Sequence, residues 1–297
     1  MSESTSSTSR SSASGTGQLR RSPGLWALYA FTVISTAGFA TFGLHPELLV
    51  QLSPASIEFY AISFRFFAIG QVLLAGLVLS GFLFRYAGLK WIPTFILLYA
   101  LSLGSELLGT SFGIPFGAYS YSDVLKPMWL GKVPVGIPLS WFYMAIPAYA
   151  FALHALPAKA KATSHIAFAS LILLAWDLAL DPAMSGATRY WEWGENGPYY
   201  GMPLLNLFGW YVTGIALMSA LSLLRAERWL RPLSIRWLGW FYGANLLLPL
   251  GMTAAAGMWG AVAATLIVLS LTWALARALA PRRASERVTS SALMTST

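Results

Sequence analysis

Apolar runs of about twenty residues alternate along the chain with shorter connections that are polar or rich in Gly and Pro. A helix that crosses a bilayer needs roughly 20 mostly apolar residues. Eight runs qualify, at approximately 25–43, 62–84, 91–109, 139–157, 164–181, 204–224, 235–251 and 255–279. The pattern predicts an all-α, polytopic membrane helix bundle of about eight transmembrane helices. Residues 1–22 are rich in Ser, Thr and Gly, and residues 281–297 are polar. Both read as disordered tails, because neither has enough apolar content to fold. Residues 23–280 are then one transmembrane domain. Two connections, near 110–138 and 182–203, are longer than the rest and dense in Gly, Pro, Trp and Tyr. Long loops of ordered composition are usually functional. Each closes on a Gly-x-Pro-Leu step, Gly136 to Leu139 and Gly201 to Leu204, which suits a turn followed by Pro at a helix start.

Composition strengthens this picture: 57% of the 297 residues are hydrophobic and only 10% are charged. The net charge of +8 is a topology signal. With the N-terminus cytoplasmic and eight spans, 15 of the 19 Lys and Arg fall on the inner side. Lys126, Lys132 and Arg189 are left outside, and Arg65 lies within a span. This is the asymmetry of the positive-inside rule, and an odd number of spans spoils it. Both termini are therefore expected in the cytoplasm, with the protein a multi-pass component of the cell membrane and the lipid bilayer its surroundings. The basic residues form short flanks and no compact patch, so no nucleic-acid partner is expected.

Several chemistries drop out. The chain has no cysteine, which excludes disulfides, thiolate catalysis and Cys-ligated metals. His45, His154 and His165 show no ligand spacing, so no metal site is expected. No span contains lysine for a retinal-type Schiff base, and neither a phosphate-binding loop nor a dinucleotide fingerprint occurs. No cofactor is expected.

The acids remain. Eight of the eleven, Glu47, Glu58, Glu106, Asp123, Asp177, Asp181, Glu192 and Glu195, map to the outer half or the outer loops. In "LILLAWDLALDP", Asp177 and Asp181 are four apart and share a helix face near its outer end. Glu106 stands in "YALSLGSELLGT" near the outer end of the third span. Ionisable groups within a membrane are costly and are functional candidates by default. In an oily setting a carboxyl tends to keep its proton near neutral pH, which suits a general acid. The bland alternative is that these acids pair with Arg65 or Arg189, or mark water-facing helix ends. Arg65 itself either snorkels to the surface or acts as a counter-ion that separates acid from base among similar carboxyls. Trp129, Trp141, Trp176, Tyr190, Trp191, Trp193, Tyr199, Tyr200 and Trp210 gather towards the same outer face. An interfacial belt accounts for many of them. As a group they also offer faces that stabilise a cation by about 0.5–2 kcal/mol each when desolvated.

The segment from Gly104 to Tyr211 contains Glu106, "FGIPFGAYSYSD", "GKVPVGIPLSW", "DLALDP", "YWEW" and "GPYYGMPLLNLFGW". In these motifs it resembles the membrane-embedded carotenoid hydratases, the γ-carotene 1',2'-hydratase and bisanhydrobacterioruberin hydratase type. They sit within a broader carotenoid biosynthesis protein family. The resemblance implies addition of water to a terminal double bond of an acyclic (ψ) end group, without redox chemistry or cofactor. It implies lycopene, γ-carotene or a C50 precursor as substrate, with water as co-substrate and other carotenoid biosynthesis enzymes as candidate partners. It supplies no residue roles. From the chemistry, Asp177 is the first-choice general acid and Glu106 the second, with Asp181 or Asp123 taking a proton from the attacking water. Arg65, Tyr119, Tyr121, Trp141, Trp176, Trp191, Trp193, Tyr199, Tyr200, Asn206 and Trp210 are the candidate substrate-binding residues. A lycopene-cyclase-like enzyme, a membrane prenyltransferase using the D-x-x-x-D step, and a proton-coupled transporter draw on the same acids and stay open at this stage.

Overall fold

The computed structural model describes residues 22–157 and 159–279. Apart from Ser22, the two expected tails lie outside the described residues. Eight long helices appear at the eight apolar runs: α1 Pro23–Gly38, α2 Pro54–Ala87, α3 Ile92–Phe112, α4 Gly136–Ala155, α5 Ala162–Asp181, α6 Leu204–Leu223, α7 Ile235–Ala255 and α8 Trp259–Leu279. The protein is an all-α polytopic bundle, and seven of these helices are long and apolar enough to cross a membrane. The exception is α7, which is as long as its neighbours but more polar. It packs on α1, α4 and α5 and buries Tyr242, Asn245 and Thr253 there.

Local signals explain where the helices begin and end. Helix α2 begins at Pro54, eight residues before the apolar run predicts. The Ser53 hydroxyl accepts from the Ser56 N–H at 3.3 Å, and Pro54 occupies the first turn, where its missing N–H costs nothing. Gly113, in the left-handed region at φ 72°, ends α3 with its N–H on the Gly109 carbonyl. Ser234 caps α7 in the same way as Ser53 caps α2. Helix α5 runs past its expected end: a π-helical turn, Pro182–Ala187, continues it into the second long loop. A π-turn inserted in a helix is frequent at functional sites because it re-aims the side chains around it.

Helices α4 and α5 form the centre. In the most apolar stretch of α4, 78% of the residues are buried, against 17% for α8. A helix apolar all round fits the interior of a membrane bundle when buried and the lipid when not. Helix α5 packs on α4, α6, α7 and α8, and α3 packs on α4 and α6. Glu106, Asp177 and Asp181 are thus carried by central or adjoining helices. The two long loops meet above them in a short antiparallel pair, β1 Tyr119–Tyr121 with β4 Trp191–Trp193, while β2 Met128–Trp129 and β3 Val133–Pro134 form a second small hairpin.

Candidate active site

Helix α3 presents Ser102, Glu106 and Gly109 on its buried face, at the spacing of one helical stripe. The Glu106 carboxyl is 4% exposed and saturated with donors. Tyr119 and Tyr121 donate their hydroxyls to Oε2 at 2.5 and 2.7 Å, and the Trp141 indole N–H donates to Oε1 at 2.8 Å. Gly109 makes room for this arrangement. A Cβ there would stand 2.8 Å from the Phe116 ring and 2.9 Å from the Tyr119 hydroxyl. Burial, with Glu106 next to it, holds each of the two loop phenols well above its ordinary value of 10.

Helix α5 places Asp177 and Asp181 on one face, both essentially without exposure. Asn206, in the first turn of α6, donates its side-chain amide to Oδ2 of Asp177 at 3.0 Å and to Oδ2 of Asp181 at 2.9 Å. The second oxygen of Asp181 accepts from the Ser185 hydroxyl at 2.8 Å, the Trp193 indole at 3.2 Å and the Trp191 indole at 3.3 Å. Ser185 reaches back because the π-turn carries it under its own helix end. Oδ1 of Asp177 is buried with no hydrogen-bond partner. Among the described residues it is the one oxygen of these three carboxyls that lacks a donor.

The strand pair joins the two acid groups. Its register sets Tyr119 opposite Trp193, Ser120 opposite Glu192 and Tyr121 opposite Trp191. Alternation along each strand turns the four aromatic rings to one face, and Ser120 and Glu192 lie exposed on the other. The Tyr119 and Trp193 rings are 5.3 Å apart and the Tyr121 and Trp191 rings 5.8 Å. The chain of contacts therefore runs from Glu106 through Tyr119 and Trp193 to Asp181, and through Asn206 to Asp177. Trp141 stacks on Trp210 at 3.9 Å, and Trp176 meets Trp210 edge-on at 5.9 Å, so aromatic faces line the interior beside the acids. Gly209 lets the first loop press onto α6: a Cβ would stand 2.6 Å from Phe116 and 2.8 Å from the Pro115 carbonyl.

Other candidates lie elsewhere. Asp123 is at the surface, where its carboxylate, 81% exposed, pairs with Lys126 at 2.9 Å. Arg65 is exposed and borders a surface depression with Asp123 and Lys126, so it is no counter-ion to the buried acids. The two salt bridges among the described residues, His45–Glu47 and Lys126–Asp123, leave the buried carboxyls without a basic partner. Tyr199 donates to the Leu178 carbonyl at 2.8 Å and so clamps the second loop to α5, while Tyr200 is exposed with φ 55°. Ser185 is not among the sequence candidates; its signal is the i, i+4 spacing from Asp181, hidden by the expectation that the helix ends at Pro182.

A cavity of about 460 Å³ lies between α1, α2, α4, α5 and α7. Trp176 and Trp191 belong to its wall. Trp176 directly precedes Asp177, and Trp191 is the residue whose indole reaches Asp181. The acids are thus one side chain behind the cavity.

Bisanhydrobacterioruberin hydratase of Haloarcula japonica is 33% identical over 162 residues. The match covers 54% of this chain and 53% of the relative, so the chain spans about half the length of the curated relative it matches. No solved structure matches. A family model described as carotenoid biosynthesis protein matches residues 67–272, more than two thirds of the chain and all the buried acids. This chain belongs to the carotenoid biosynthesis protein family.

Proposed function

We propose that this protein is a cofactor-independent carotenoid hydratase of the cell membrane. It adds water across the terminal 1,2 double bond of an acyclic end group and yields a 1-hydroxy carotenoid, from lycopene, γ-carotene or a C50 precursor. The hydratase name of the relative supports the reaction class. The observation that carries the mechanism is the unequal hydrogen bonding of the three buried carboxyls. Every oxygen of Glu106 and Asp181 accepts at least one hydrogen bond, whereas Oδ1 of Asp177 accepts none. A buried ionised oxygen without a donor is costly. A protonated one is itself a donor awaiting an acceptor. Asp177 is therefore the neutral acid, and the donor-rich carboxyls are the anions.

The chemistry is a net addition. The O–H bond of Asp177 breaks, and the π pair of the alkene takes its proton at C-2. A tertiary cation remains at C-1 beside the Trp faces, each worth about 0.5–2 kcal/mol to a desolvated cation. Water attacks C-1, and Asp181 removes the extra proton from the new oxygen. Proton transfer between Asp181 and its neighbour Asp177 resets the pair. One molecule of water is gained and nothing is oxidised or reduced.

Expression in a host that accumulates lycopene tests the reading. Pigment gaining the mass of one water is the expected result. A ring-containing isomer of unchanged mass would instead assign a cyclase, which begins with the same protonation and quenches the cation internally. Unchanged pigment in hosts that accumulate lycopene, γ-carotene and a C50 precursor in turn would remove the proposal.

A further inference from the structure

The cavity has two unlike ends. Along α2 it extends from Ser56 to Val72, which at 1.5 Å per residue is a slot of about 24 Å. One end is flanked by Leu52 and Phe59, both exposed. At the other end the helices bring Gln71, Ser140, Tyr143, Trp176 and Asn245 together, none of them more than 7% exposed. The level is fixed by contacts between helices: Gln71 bonds Thr32 at 3.0 Å, and the Trp176 indole donates to the Asn245 carbonyl at 3.3 Å. Between these ends the wall is mostly aromatic and aliphatic.

The buried end holds more hydrogen-bonding capacity than its neighbours use. The Tyr143 hydroxyl lines the slot and has no partner among the described residues, although the residue is 3% exposed. Asn245 donates to the Phe241 carbonyl at 2.9 Å, which leaves its side-chain oxygen free to accept. Ser140 donates to the Ile137 carbonyl at 2.8 Å and keeps its oxygen lone pairs. Buried polar atoms are nearly always satisfied, so a donor and two acceptors on the wall of one apolar slot call for a ligand oxygen. A pure hydrocarbon end cannot satisfy them.

We infer that the buried end of this slot is a binding site for one hydroxyl group, the tertiary alcohol of an acyclic carotenoid, with the polyene extending along the apolar walls towards Phe59. Tyr143 donates to the alcohol oxygen, and the alcohol donates to Asn245 Oδ1. The assignment rests on the hydration reading, since that reaction makes such an alcohol. Trp176 separates this seat from Asp177, so the seat holds an oxygenated end apart from the acid. The same capacity fits a water molecule, and the two sources of hydroxyl differ in what they do to affinity.

The test is a binding measurement on the full-length protein carrying Asp177→Asn, which keeps each pigment unconverted, in lipid nanodiscs. Retention of lycopene and of its 1-hydroxy derivative is compared by pigment absorbance. The alcohol is expected to bind about tenfold more tightly, the ratio one good buried hydrogen bond gives. Tyr143→Phe removes one oxygen atom and should bring the ratio close to one while leaving lycopene binding within about twofold. Asn245→Leu should act in the same direction. Equal retention of the two pigments means that the end holds water only and overturns the inference, as does a preference that survives both substitutions. Because no turnover is read, failure here differs from failure to form hydrated pigment in the lycopene host.

Discussion

Glu106 and Asp177 are the same functional group at similar depth in the same bundle, and they are treated in opposite ways. Three donors from two loop tyrosines and a helix tryptophan converge on Glu106. Asp177 shares the amide of Asn206 with a second aspartate, and one of its oxygens has nothing to accept from. The difference teaches that the role of a buried acid is set by what neighbouring elements offer its oxygens, more than by how deep it lies. An anion needs donors; an acid needs their absence.

The largest effect should come from breaking this contrast at each end. Asp177→Asn keeps the shape and the Asn206 contact but has no acidic proton, so hydrated product should fall by roughly a factor of 10²–10⁴, the range for loss of a general acid. Glu106→Gln substitutes an amide whose N–H₂ meets donors instead of giving them an acceptor. It should lower stability by about 1–3 kcal/mol and reduce product in step with the folded fraction. Product formation and thermal unfolding of both variants in the same detergent decide the matter. Equal activity losses at equal stability would erase the distinction between the two acids.

A smaller, pH-dependent effect should come from the loop side of Glu106. Tyr119 and Tyr121 are held above the ordinary phenol value of 10 by burial and by the adjacent carboxyl. Folded protein thus retains these protons at a pH where unfolded chain releases them, and stability declines as pH rises above about 10. Thermal midpoints should be level from pH 8 to 9.5 and then fall. The double variant Tyr119→Phe, Tyr121→Phe should show a shallower fall, together with a lower plateau from the lost hydrogen bonds. An alkaline decline of the same slope in the variant would show that other groups drive it.

How much of this was legible in the sequence follows from which forces act locally. Seven of the eight long helices were visible because lipid demands about twenty apolar residues for each, and α7 showed only as a shorter apolar run. The early start of α2 was written in Ser53 and Pro54, but a window for apolar residues starts only at Ile62. The acids stood out for the same reason as the helices, being costly in lipid. Their partners did not. "YSY" and "WEW" are alternations of three residues, too short to read as strands alone. They become strands only because the fold sets the two loops side by side, seventy residues apart in sequence. Gln71, Tyr143 and Asn245 lie on three different helices and give no common motif. Asp123 shows the limit most directly: an acid in an aromatic loop, two residues from Tyr121, reads like its neighbours in sequence and yet points to water.

That residue supplies the smallest expected effect, and the control for all the others. Asp123 and Lys126 form an exposed i, i+3 pair, and such pairs contribute about 0–1 kcal/mol. Arg65 borders the same depression. Asp123→Asn and Arg65→Ala should each leave hydrated product within about twofold of the unaltered protein, because neither group reaches the buried acids and neither is charge-paired with them. Both lie in or against the first long loop, so the same measurements also ask whether the loop acts as a whole or through the side chains that β1 turns inward. If Asp123→Asn abolished product while the fold stayed intact, the proton from water would be leaving through the loop surface and not through Asp181, and the inward-facing cluster would lose its claim to the second half of the reaction.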